Sequence, residues 1–125
     1  MKSTVSSSQA APPIGPYPQA VRANGLLFLS GQLPLDPETG AIVEGGIAEQ
    51  TKRALQNIEA LLQAAGSDMS KVVRCVVFLK NMADFGAMNA AYAEHFGATL
   101  PVRTTIEAAR LPRESLIEIE ATALE

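Results

Sequence analysis

Two short stretches carry residue types able to do chemistry at a useful spacing. In "LPVRTTIEAARLP" (100–112), Arg103, Thr105 and Glu107 occupy alternate positions; in "LIEIEAT" (116–122), Glu118 and Glu120 do the same. Alternate residues of an extended chain share a face, so each stretch presents a polar side. If the two strands are neighbours, register matches polar face to polar face and puts Arg103 on the side of Glu120. One reading is a row of cross-strand ion pairs on a solvated face, each worth under about 1 kcal/mol. The other is a site for a small acid: a guanidinium holds a carboxylate bidentately, and a glutamate handles protons or a water.

The elements that must position these residues follow from periodicity. "VRANGLLFLSG" (21–31) reads as a β-hairpin about Asn24-Gly25. From Ile47 to Ala65 apolar residues recur at three- and four-residue steps, an amphipathic helix that Gly66 can end. "KVVRCVVFLK" (71–80) reads as a strand with Val73, Cys75, Val77 and Leu79 on one apolar face. A second helix starts at Asp84, buries Phe85, Met88, Tyr92 and Phe96, and stops at Gly97. Strands at 102–110 and 116–123 finish the chain, and the final one turns Ile117, Ile119, Ala121 and Ala123 to one side. The lead-in through residue 12 is Ser/Ala/Pro-rich and is expected to be loosely ordered.

The order ββαβαββ describes an α+β domain: a mixed β-sheet with two helices packed on one face. Two helices cover one side only, yet the strand at 71–80 is apolar on its other face too, at Val72, Val76 and Phe78. Such a face is larger than soluble monomers tolerate, and self-association is the simplest cover.

Composition narrows the classes. With 125 residues the chain fits one domain. A net charge of −3 argues against a basic nucleic-acid surface, and no apolar run reaches the roughly 20 residues of a membrane span. Lone Cys75 excludes an internal disulfide and is read as core, and a cytoplasmic setting is the default. One histidine and one cysteine cannot build the usual zinc site, so no metal or other cofactor is expected.

"IGPYPQA" (14–20), "LSGQLPLDPETG" (29–40), "MNAAYAEHF" (88–96) and "PVRTTIEAARLPRESLIEIEA" (101–121) resemble the Rid family, also called the YjgF family, in collinear order from about residue 10 onward. The resemblance implies a chorismate mutase-like fold and a homotrimer whose sheets close into a central barrel, with clefts between subunits. It implies hydrolysis of reactive enamine and imine carboxylates, such as 2-aminoacrylate, to 2-keto acids and ammonia. By the same resemblance Arg103 anchors the substrate carboxylate, Glu120 positions the attacking water, and Tyr17, Ser30, Gly31 and Asn89 line the cleft. Thr105 stands where several deaminases have a cysteine; its backbone amide can still meet the ligand. A metabolite-binding module or a holdase chaperone using the same cleft is the alternative. RNA cleavage, also proposed for such proteins, fits the acidic composition poorly.

Overall fold

The computed structural model describes residues 1–125. Its first strand, β1 (Ser3–Val5), lies in the segment expected to be loose. It pairs antiparallel with β2 (Ala20–Ala23), placing Thr4 opposite Val21, and Val5, Ala10 and Ala11 are buried. The anchor is the buried Gln19, whose Oε1 accepts from Ser7 N at 2.9 Å while Nε2 donates to Ala11 O at 2.8 Å. Periodicity does not register a side chain tying down backbone groups in this way.

Asn24 (φ 53°) and Gly25 (φ 79°) are both left-handed, as a two-residue hairpin turn requires, and join β2 to β3 (Leu26–Gln32). Helix α1 (Ile47–Ala64) opens with Glu49 Oε1 accepting from Gly46 N at 2.7 Å. It closes at Gly66 (φ 82°), where Ser67 N donates to Leu62 O at 2.8 Å, the Schellman arrangement. Its inner face buries Ala54, Leu55, Ile58, Leu61 and Leu62. Each of the larger side chains contributes about 1.5–3 kcal/mol by leaving water.

Strand β4 (Val72–Leu79) buries Cys75, Val77 and Leu79 as expected, but Val72 is buried and Val73 is exposed, the reverse of the simple alternation. A register shift between Val72 and Arg74 against β6 (Ile117–Leu124) accounts for it: one extra residue flips the preceding positions. Helix α2 (Phe85–Phe96) buries Met88, Tyr92 and Phe96, whereas Phe85 stays 39% exposed at its first turn. Asp84 makes no side-chain cap; Asn81 Oδ1 instead accepts from Ala83 N at 2.9 Å, starting a short turn ahead of the helix. Strand β5 is shorter than expected, Val102–Glu107.

The strands form one mixed sheet in the order β1-β2-β3-β6-β4-β5, with β4–β5 parallel and the other pairs antiparallel. Both helices pack on one face over Leu27, Leu29, Cys75, Val77, Ile117 and Ile119. The other face carries Phe28, Val76, Phe78, Val102 and Ile106 among Arg74, Glu118 and Glu120. No helix is long and apolar enough to cross a membrane.

Candidate active site

The strand order overturns the expected relation between Arg103 and Glu120. β5 does not neighbour β6, because β4 lies between them. Arg103 stands opposite Cys75, and Cys75 opposite Ala121, so the arginine shares the helix-covered side. Glu120 stands opposite Val76, itself opposite Thr104, on the open side. The two proposed site residues therefore lie on opposite faces of the sheet.

Helix α2 builds the surroundings of Arg103. Phe85, Met88, Asn89 and Tyr92 follow the i, i+3, i+4, i+7 stripe that one helix face presents. Arg103 Nη2 donates to Asn89 Oδ1 at 2.7 Å, and Nη1 lies 3.9 Å from Met88 Sδ. The guanidinium carbon sits 4.8 Å from the Tyr92 ring centre and 5.6 Å from that of Phe85. None of the chain's ion pairs involves Arg103. A cleft of about 430 Å³ opens beside it, bounded by Asn89, Tyr92, Ala93, Leu100 and Pro101. Arginine, asparagine and cleft thus come together, and Thr105 follows on the same side with its hydroxyl buried and unpartnered.

Beneath the arginine, burial pushes the Cys75 thiol up to about 11, despite the lowering influence of Tyr92 and Arg103. Burial, reinforced by Cys75, holds the Tyr92 phenol far above its ordinary value. Both stay protonated at neutral pH, so neither a thiolate nor a phenolate is available here.

The second half lies on the far side of the sheet. Ser30 Oγ donates to Pro18 O at 2.8 Å and Ser30 N to Gln19 O at 3.0 Å, which fixes the segment bearing Tyr17. The Tyr17 hydroxyl accepts from Ile14 N at 3.2 Å, and Tyr17 and Gly31 border a small pocket. Gly31 leaves room for Glu118: a Cβ there would overlap its carboxylate. Burial raises the Glu118 carboxyl above its ordinary value, and the charge of Glu120 adds to the effect. Such a pair can hold a proton that an isolated glutamate releases.

The half containing Tyr17, Ser30, Gly31, Glu118 and Glu120 and the half containing Arg103, Asn89 and Thr105 are not brought together within one chain. Between β3 and β5 lie β6 and β4, a separation of about 14 Å at roughly 4.8 Å per strand. Periodicity places Tyr92 only in the core, and reads Glu118 as sharing a face with Glu120 without giving it a part in the site. That shared face was the available signal.

Fold and site together define a two-layer α+β domain with a cationic cleft at one sheet edge and a carboxylate pair on the open face. Residues 8–125 match the family model described as endoribonuclease L-PSP. A RutC family protein of Pyrococcus horikoshii is 50% identical over 123 residues, 98% of each chain. The 2-iminobutanoate/2-iminopropanoate deaminase of Mus musculus is 42% identical over 125 residues, 100% of this chain and 93% of that one. Among solved structures, E. coli TdcF with bound serine superposes with a TM-score of 0.92 at 33% identity, covering 98% of both chains. The chain belongs to the Rid (YjgF) family.

Proposed function

We propose that this protein hydrolyses small enamine and imine carboxylates, of the 2-aminoacrylate and 2-iminobutanoate type, to 2-keto acids and ammonia. The observation that carries this reading is the uncommitted charge of Arg103. It borders an open cleft, and its closest partners are an asparagine, a thioether and two aromatic rings rather than a carboxylate. A guanidinium held in shape without being neutralised is arranged for an anionic ligand. The name of the mouse relative and the serine bound to TdcF support a substrate derived from a small 2-amino acid.

A second copy of the chain completes the site. In the proposed homotrimer the open sheet faces close into a central barrel, and the Arg103 edge of one protomer meets the Gly31–Glu120 half of the next. Arg103 holds the substrate carboxylate and Asn89 steadies it, with Thr105 alongside. An enamine first takes a proton from solvent on its methylene carbon, giving the iminium. A water placed by Glu120 then bonds the imine carbon as the glutamate takes its proton. Collapse of the carbinolamine then expels ammonia: its nitrogen receives a proton from the Glu118–Glu120 pair, C–N breaks, C=O forms, and the hydroxyl proton returns to the same carboxylate pair. The imine carbon is already electrophilic, so orientation and proton transfer suffice.

The test generates 2-aminoacrylate with a serine dehydratase and follows pyruvate release. The protein is expected to accelerate release, and Arg103→Ala to lose at least about 100-fold in kcat/KM, the size of a charged contact removed from the transition state. No acceleration by the wild type refutes the deaminase reading. Thermal stabilisation by 2-oxobutanoate without turnover would transfer the cleft to a binding module.

A further inference from the structure

We propose that Tyr92 and Phe85 are positioning residues for Arg103: an aromatic clamp that fixes the plane of the guanidinium and leaves its outer edge free for a carboxylate. The inference rests on the carboxylate-anchoring role of Arg103 and adds the residues that make that role possible.

Three observations carry it. The guanidinium carbon lies within cation–π distance of both rings, 4.8 Å from Tyr92 and 5.6 Å from Phe85. Both rings come from the helix stripe that also supplies Asn89 and Met88, so one rigid element determines every contact described for the head group. And Tyr92 is 4% exposed, its ring packed at a tilt against Phe96 with centres 4.7 Å apart, so it cannot follow the arginine if the latter swings.

The partner types matter as much as their positions. A carboxylate at this place would steady Arg103 more strongly, but it would neutralise the charge and compete with the ligand. Aromatic faces and a thioether attract a cation without accepting its strong hydrogen bonds. Asn89 occupies one donor of Nη2 and Met88 Sδ lies against Nη1, which leaves the other N–H groups available to a bidentate ligand. The Tyr92 hydroxyl is buried beside the Cys75 thiol and makes no hydrogen bond to Arg103. The ring of Tyr92, and not its hydroxyl, therefore does the positioning.

The experiment measures the dissociation constant of 2-oxobutanoate by calorimetry, with KM and kcat for 2-aminoacrylate, on the assembled full-length protein. Tyr92→Leu is expected to weaken binding and raise KM roughly 5- to 30-fold with kcat changed much less, the size of one partly desolvated cation–π contact. Phe85→Leu, at an exposed position that tolerates change, should weaken binding about threefold, in keeping with its longer distance. Tyr92→Phe, which restores the ring, should recover most of the affinity. A purely structural role would lower the unfolding temperature of the leucine variants and leave the dissociation constant alone. That result overturns the clamp, as does Tyr92→Phe binding no better than Tyr92→Leu. Wild type that binds 2-oxobutanoate in an aromatic-dependent way but never turns over refutes the deaminase and leaves the clamp standing. Wild type that does not bind it at all overturns the clamp too.

Discussion

Arg103 and Glu120 lie on opposite faces of the same sheet, separated by the strand that pairs with both of theirs. No side-chain rotation joins them within one protomer. Any chemistry that uses both must take one from each of two neighbouring copies.

Inter-subunit complementation tests this. Arg103→Ala and Glu120→Ala protein, each inactive alone, are unfolded together and reassembled in equal amounts. Random mixing around a head-to-tail ring gives about one quarter of interfaces both intact residues, so about a quarter of wild-type activity should return. A mixture as inactive as its components would place both residues in one protomer's site or remove one from the mechanism. Sedimentation should accompany it, with the native mass expected near three times the 13.2 kDa chain.

Gly31→Ala isolates the glutamate half of the site. The new Cβ would overlap the Glu118 carboxylate, which is the far end of a flexible side chain and can swing away. The unfolding temperature should stay within a few degrees of wild type, while kcat/KM falls by about tenfold or more, as expected for a proton-transfer group moved out of reach. Equal activity in the two proteins would argue that Glu118 has no part in the reaction.

Glu118 also gives a signed dependence of stability on pH. Its carboxyl is raised in the folded state, by burial and then by Glu120, above the ordinary value of 4.5. The folded state therefore binds more protons than the unfolded chain between those two values, and stability falls as pH rises through that window. Above it the ionised side chain is a constant cost. Glu118→Gln should therefore match wild type at pH 4 or below and exceed it at pH 7, measured by urea unfolding. A variant less stable than wild type at pH 7 would mean that the ionised group is stabilised in the assembly.

Much of the architecture was legible because it depends on neighbours in sequence. The three- and four-residue spacing from Ile47 to Leu62 produced a helix with that face buried, and Gly66 ended it. Asn24-Gly25 made the hairpin turn, and Ile117, Ile119, Ala121 and Ala123 went to the core together. The readings that failed depended on distant partners. β1 depends on Gln19 reaching Ser7 and Ala11, and the exchange of Val72 for Val73 depends on how β4 pairs with β6.

Arg103 shows where that boundary lies. Alternation along "PVRTTIE" determined that Arg103 and Thr105 share a face, and the structure keeps them together. Which face that is, and whether Glu120 shares it, was decided by β4 entering the sheet between β5 and β6. The pleat of a strand is a local consequence of backbone geometry, whereas strand order follows from long-range packing of helices against the sheet. The types of residue in the candidate site were therefore written in the chain, and their separation onto two faces of the sheet appeared only when it folded.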